Sequence, residues 1–224
     1  MNLLFRGAAC APLLALLAGC CANNPNTCDD LQADSLFLVP ANNRVNADTV
    51  RVSFTRAELD TVYLQRYAPA TAARPATTTL PAIPAQPKGA LSTPVSIVRA
   101  QQTLVNAALR RKLDAANLSV ANTIVISNTV PFSPSTTGGK LNAYNYVLTI
   151  HDLSVKGAPT YVDTLVQIQF QGQYYADGCT TCYENTQKTF VLKGRNTTKT
   201  IDATEKEEKN DVKVAVPISI TKLD

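Results

Sequence analysis

The amino-acid sequence predicts a mainly-β protein: an antiparallel β-sandwich of about seven to nine strands with one short helix. Two observations carry that prediction. Apolar and polar residues alternate with period two through several separate stretches, and most of these are bounded by Gly, Pro, Asn or Asp. Residues 101–117, in contrast, repeat apolar side chains at helical spacing. Alternation alone does not separate two packed sheets from one sheet closed on itself. An outer-membrane barrel fits less well, because the outward face of the longest strand carries glutamines where lipid would demand apolar side chains.

Taken in order, Leu36, Phe37, Leu38 and Val39, stopped by Pro40, form the first predicted strand. Val50, Val52 and Phe54 alternate with Arg51, Ser53 and Thr55. After a turn at residues 56–60, the β-branched and aromatic run of residues 61–67 completes a predicted hairpin. Residues 68–94 then hold Pro69, Pro75, Pro81, Pro84, Pro87 and Pro94 among Ala and Thr. Proline fixes φ and removes a backbone donor, so this stretch reads as a long exposed loop inserted between strands. Within residues 101–117, Leu104, Val105, Ala108, Leu109 and Leu113 share one side while Arg110, Arg111, Lys112 and Asp114 fill most of the other, as in a helix packed on a sheet. Strand character returns at residues 123–127.

In the second half, Tyr144, Tyr146, Leu148 and Ile150 alternate with Asn145, Val147, Thr149 and His151. The longest strand follows. Its expected core face holds Val162, Thr164, Val166, Ile168, Phe170, Gly172 and Tyr174, and its wet face Gln167, Gln169, Gln171 and Gln173. Residues 190–193 and the alternating Val212, Val214, Val216, Ile218 and Ile220 supply two more strands, and the mixed charge run of residues 202–211 reads as a solvated hairpin loop.

The 224 residues are 45% hydrophobic and 17% charged, without Trp and with a formal net charge of +4. That balance fits a globular exported domain. No basic stripe is present, so no nucleic-acid partner is expected.

The N-terminus gives an address. Arg6 precedes a short apolar run containing Leu13, Leu14, Leu16 and Leu17, and the small residues Ala18 and Gly19 follow, which is the anatomy of a secretory signal peptide. The run falls short of the ~20 apolar residues a spanning helix needs. Leu17-Ala18-Gly19-Cys20 resembles the lipobox of bacterial lipoproteins, in which cleavage falls before a cysteine whose thiol has received a diacylglycerol. The resemblance implies a signal peptide over residues 1–19, lipidation at Cys20, a polar tether over residues 20–34 and a single β-sandwich domain over residues 35–224. At about 0.8 kcal/mol per buried methylene, two or three acyl chains on Cys20 would hold the protein to a membrane essentially permanently. Cys21, rather than aspartate, follows Cys20. That points to the outer membrane, with the body on its periplasmic or surface face.

Cys179 and Cys182 follow Asp177-Gly178 in the connection between two strands. In an oxidising compartment two such thiols become a disulfide. Cys21 and Cys28 are the other disulfide candidates, and sequence does not set the connectivity. Redox catalysis would want a thiolate at a helix N-terminus, and neither side of the motif reads as helix. A zinc site would have to recruit Cys21 and Cys28 or the sole histidine, His151. No metal or cofactor is therefore expected. No G-x-S-x-G elbow is present, no catalytic residue stands out, and the chain reads as non-enzymatic.

Gln167, Gln169, Gln171 and Gln173 offer a row of amides for a speculative ligand surface, with Tyr175 or Tyr183 as a stacking platform for a glycan. The lipobox, the polar tether and the run from Asp177 through Cys179, Cys182 and Tyr183 to Asn185 together resemble small uncharacterised lipoproteins of the Bacteroidota. That resemblance implies a location and no activity. The expectation is a membrane-anchored envelope lipoprotein, structural or partner-binding, whose partner is an envelope protein or glycan. The alternatives are a glycan-binding or other ligand-binding module using the glutamine face and a thiol redox or metal protein using the C-x-x-C hairpin.

Overall fold

The computed structural model describes residues 30–41, 53–67, 95–98, 106–132, 140–152, 154–177, 180–209 and 212–222. The signal peptide, Cys20, Cys21, Cys28, the strand residues Val50 and Val52, the proline-rich loop 68–94 and Cys179 lie outside the described residues.

The described chain runs α1 (Asp30–Ala33), β1 (Leu36–Pro40), β2 (Thr61–Tyr67), β3 (Val95–Val98), α2 (Ala107–Ala115) and β4 (Ile124–Ile126). It continues through β5 (Asn145–His151), β6 (Thr160–Asp177), β7 (Thr180–Lys193), β8 (Thr198–Asp202), β9 (Glu208–Lys209), β10 (Val212–Lys213) and β11 (Pro217–Ile220). The protein is mainly β, as its alternation requires. Six strands in the order β3-β2-β5-β6-β7-β8 form one antiparallel sheet, and β11-β1-β4 form a second. Within the smaller sheet β1 pairs antiparallel with β4 but parallel with β11, Leu38 standing opposite Ile218. A parallel pair joins segments far apart in sequence, so no local turn announces it.

The two sheets share one core. Leu36 and Leu38 of β1 and Ile126 of β4 are fully buried in the same cluster as Leu64, Leu148 and Leu165 of the large sheet. On the other side of β1, Phe37 packs with Val125, Ala215 and the helix residues Leu109 and Leu113. Both faces of β1 are therefore covered, which accounts for an unbroken apolar run where a half-exposed strand would alternate. Full burial of each such side chain is worth about 1.5–3 kcal/mol. Helix α2 starts where the Asn106 side chain accepts from the Leu109 N–H at 3.0 Å, satisfying one of the free donors of its first turn. The far end of the chain is pinned too: Lys222 Nζ lies 2.8 Å from Glu58 and 5.2 Å from the Tyr161 ring.

The structure corrects several expectations. Residues 32–34, read as the end of the tether, are buried parts of the body. The hairpin expected between residues 50–55 and β2 does not form through Phe54, whose N–H donates to the Ala41 carbonyl at 2.9 Å, and the neighbours of β2 are β3 and β5. Thr55 and Glu58 close the intervening turn by exchanging side-chain to backbone hydrogen bonds, Glu58 accepting from the Thr55 N–H at 2.7 Å. The single strand expected over residues 212–220 is split into β10 and β11, with Ala215 buried against the helix between them.

The longest strand departs most from its simple alternation. Before Gln167 the buried residues are Asp163 and Leu165, while Val162, Thr164 and Val166 are only partly buried; after it Ile168 is buried and Phe170 packs against the core. Gln167 has φ 53°, and the pairing slips between Val166 and Gln169. The extra residue is a β-bulge that exchanges the faces of the strand at that point. The core face is therefore Tyr161, Asp163 and Leu165 on one side of the bulge and Ile168 and Phe170 on the other.

Candidate functional site

Strands β6 and β7 pair over almost their whole length, but β5 accompanies β6 only as far as Leu165 and β8 accompanies β7 only along Thr189–Lys193. The remainder is a two-stranded ribbon extending from the sheet. Asp177 and Thr180 are its last described pair. Residues 171–175 are all exposed, Tyr174 at 72% and Tyr175 at 45%.

The ribbon sorts the expected ligand residues by its pleat. Gln173 pairs with Glu184, Tyr174 with Tyr183 and Tyr175 with Cys182. Directly opposed residues share a face and alternate along the strand, so Gln169, Gln171, Gln173 and Tyr175 lie together while Tyr183 lies on the reverse side. The expected site is thus only partly assembled. Gln167 is taken out of the row by its bulge, and the Gln173 amide already donates to Glu184 at 3.0 Å. On the reverse face Tyr183 covers Gly172, where a Cβ would collide with the tyrosine hydroxyl, and its ring lies 5.2 Å from that of Tyr174. An aromatic ring filling the place of a missing side chain in a strand is a known way to stabilise an exposed glycine.

The base of the ribbon holds a group of buried charges, two of them in stretches whose sequence pattern predicts solvent exposure. Lys112 of α2, Lys188 of β7 and Glu205 are 3%, 1% and 7% exposed. Glu205 lies between the two lysines, 2.8 Å from Lys112 Nζ and 3.2 Å from Lys188 Nζ. Lys112 and Lys188 also reach the carbonyls of Gln32 and Ser35 at 3.4 and 3.2 Å. Asp34, 3% exposed, accepts from Asn185 at 2.8 Å and from Asn128 at 3.3 Å. Burial pushes the Lys188 ammonium down to about 8, against the attraction of Glu205. A depressed lysine is a familiar nucleophile, but one with 1% exposure has no approach for a substrate, so its chemistry here is structural.

The sequence reading placed Lys112 on the solvated side of its helix and Glu205 in a solvated hairpin loop. Both are corrected: Ala203, Thr204 and Glu205 dip into the body, and β9–β10 alone forms the exposed hairpin. Lys188 had no assigned role. The one usable hint was that a lysine at an inward phase of a strand must find a carboxylate.

An open cleft of about 420 Å³ lies elsewhere, lined by Ala57, Asp60, Thr61, His151, Asp152 and Ser154. Its polar groups are engaged with one another's neighbours: His151 Nδ1 lies 3.1 Å from Thr160 Oγ1, and Asp152 accepts from the Ser154 N–H and hydroxyl, which hold its carboxyl below the usual range. Among the described residues no three His, Cys, Asp or Glu side chains are grouped to hold a metal ion. Among them, too, no helix is long and apolar enough to cross a membrane.

Among the described residues these features define a class, a mainly-β protein with a six-stranded, a three-stranded and a two-stranded sheet, a covering helix and a braced, exposed two-stranded ribbon. No protein-family model, curated protein or solved structure matches the chain.

Proposed function

We propose that the chain is a lipid-anchored protein of the bacterial cell envelope, non-enzymatic, whose body binds a partner through the β6–β7 ribbon. One observation carries the partner-binding part: of the large apolar and aromatic side chains exposed among the described residues, two are the adjacent Tyr174 and Tyr175 at the far end of the ribbon. Tyrosine supplies large contact area at low conformational cost, and here the ribbon that presents it is braced by buried contacts at its base. The anchor rests on the resemblance of residues 17–20 to a lipobox, with acylation at Cys20 and residence in the outer membrane.

In such a compartment Cys179 and Cys182 are expected to be joined as a disulfide beside the tip of the ribbon. The burial of Cys182 at 3% exposure is compatible with this. A thiolate catalyst would need the opposite, an accessible sulfur beside positive charge.

A second reading keeps the same ribbon but makes the partner a glycan, because Gln169, Gln171 and Tyr175 share a face. Replacing Gln169 and Gln171 with Ala would then abolish glycan binding. The test of the main reading places a photo-crosslinking residue at position 174 of the protein in its native envelope, followed by mass spectrometry of the mature chain without reduction. The expected result is an acylated Cys20 as first residue and a defined crosslinked product. A chain beginning at Met1 without acyl groups, or an envelope that yields no crosslink, overturns it.

A further inference from the structure

The two lysines of the buried cluster meet its carboxyl group in different ways. Lys112 donates a hydrogen bond to Glu205 Oε2 at 2.8 Å. Lys188 Nζ lies 3.2 Å from Glu205 Oε1, yet among the described residues Oε1 accepts no aligned hydrogen bond. The backbone fixes this second approach: the Lys188 N–H donates to Thr204 Oγ1 at 2.9 Å, and the Lys188 carbonyl accepts from the Ala203 N–H at 2.8 Å. An amine held within about 3–3.5 Å of the group it attacks has already lost the freedom that a bimolecular reaction must give up. Burial and a neighbouring cation are also the ordinary means of making a lysine nucleophilic. Here burial and Lys112 favour loss of the Lys188 proton, while Glu205 and Asp34 oppose it. No outside substrate reaches Lys188, and none is needed, because the acyl group stands beside it.

We propose that Lys188 and Glu205 join in an intramolecular isopeptide bond at the base of the ribbon. The uncharged Lys188 amine attacks Cδ of Glu205 and forms the new N–C bond. The bond from Cδ to Oε2 breaks, and Oε2 leaves as water with one proton from Lys112 and one from the attacking amine. Oε1 remains as the amide carbonyl oxygen, Lys112 is left uncharged, and the step changes no net charge. No oxidant or reductant takes part, so the bond does not depend on the compartment or on the lipid anchor. Lys112 is the general acid, already aligned on the oxygen that departs. A carboxylate is a poor acyl group, so the step is slow: the freshly folded chain carries three free charges, and the bond accumulates with time. Exclusion of water from side chains 1%, 3% and 7% exposed then protects the amide from hydrolysis. The product ties β7 to the segment after β8 and, as a disulfide does, constrains the unfolded chain.

Intact-mass spectrometry of the purified protein, freshly prepared and after prolonged incubation, tests the bond directly. The expected result is a loss of one water that grows with time, with an initial rate on the order of a hundredfold higher at about pH 9 than at about pH 6, as the Lys188 amine becomes uncharged. Lys193, Arg195 and Lys199 separate the two residues, so trypsin should release one branched peptide joining the Lys188 and Glu205 stretches, uncut after Lys188. Lys188→Arg should keep its full mass throughout, and Lys112→Met should lose water at least about tenfold more slowly than the wild type. A wild-type mass that does not change, with Lys188 and Glu205 recovered in separate peptides, would overturn the proposal whatever the variants do. So would a loss of water that persists in Lys188→Arg, or a branch that runs through Lys112 instead.

Discussion

The side-chain amide of Asn185 donates to the Asp34 carboxylate at 2.8 Å and to the Ala33 carbonyl at 2.7 Å, fastening the first described residues of the chain to the ribbon strand β7. Asn185 also accepts from the Tyr183 hydroxyl at 3.1 Å, and Tyr183 packs on Gly172 and Tyr174. A continuous path of contacts thus runs from the segment at the start of the body to the exposed aromatics. The ribbon's rigidity is set from its base.

The buried carboxylate of Glu205 is the group whose loss should matter most. Glu205→Ala leaves Lys112 and Lys188 buried beside each other without a counter-charge, and is expected to lower unfolding free energy by about 3–5 kcal/mol in a denaturant titration. Replacing all three charged residues by Met or Leu should cost less than Glu205→Ala alone. An Ala variant at Glu205 with native stability would mean the cluster is not closed in solution. By contrast, Lys206→Ala, which breaks an ion pair to Asp202 whose lysine is 72% exposed, should change stability by less than about 1 kcal/mol.

Lys188 makes stability depend on pH in a direction opposite to most ion-paired lysines. Its folded pKa is about 8 against an ordinary 10.5, so between those values the unfolded chain holds a proton that the folded chain has released. The unfolded state then binds more protons, and raising pH favours the fold. Stability should climb from about pH 8 toward pH 10, by an amount on the order of 3 kcal/mol at most, before tyrosine ionisation opposes it. Burial raises the Tyr146 hydroxyl above its ordinary 10, so its contribution falls away only at higher pH. Thermal melts in that window should lose the climb in Lys188→Met; a flat profile in the wild type would count against the burial.

Gly172 is a position of contact rather than of backbone freedom. A methyl group there would meet the Tyr183 ring, its hydroxyl and the Glu184 carbonyl, so Gly172→Ala is expected to destabilise by about 1–3 kcal/mol. Tyr183→Phe removes only the hydroxyl's bond to Asn185, and should cost about 0.5–1.5 kcal/mol. Both can be read from urea midpoints, and the reverse order of effects would contradict the packing.

Gln167 tests the bulge. Its φ of 53° suits glycine better, so Gln167→Gly should fold normally and lose little stability, the relief of strain offsetting the greater freedom of the unfolded chain. Deleting residue 167 instead would restore a regular ladder in which Val166 and Ile168 alternate on the faces they already occupy, so the deletion should fold as well. Circular dichroism melts should find both variants folded, and an unfolded deletion would mean that the strand needs the bend of the bulge.

Much of the architecture was legible in the order of residues. The unbroken apolar run of β1, the alternation of β5 with Tyr146, Leu148 and Ile150 inward, and the helical spacing of Leu109 and Leu113 each reflect a local period, and local periods survive folding because the core rewards them. The exposed ribbon around Tyr174 was legible in part, since a long polar alternation before a short loop can only be a hairpin. Its face assignment holds beyond Gln167, where Ile168 and Phe170 turn inward, and fails before it, where Asp163 and Leu165 are buried in place of Val162, Thr164 and Val166. A positive φ at a glutamine leaves no mark in composition, and one inserted residue inverts every side chain beyond it.

What the sequence by itself determined is a β-rich body with one covering helix, because burial period and turn chemistry are properties of neighbouring residues. What only the tertiary structure decided is where the long-range partners lie: the parallel pairing of β1 with β11 and the meeting of Lys112, Lys188 and Glu205. A charged side chain looks solvated until its counter-charge arrives from far along the chain, and that arrival is fixed by the packing of sheets and helix.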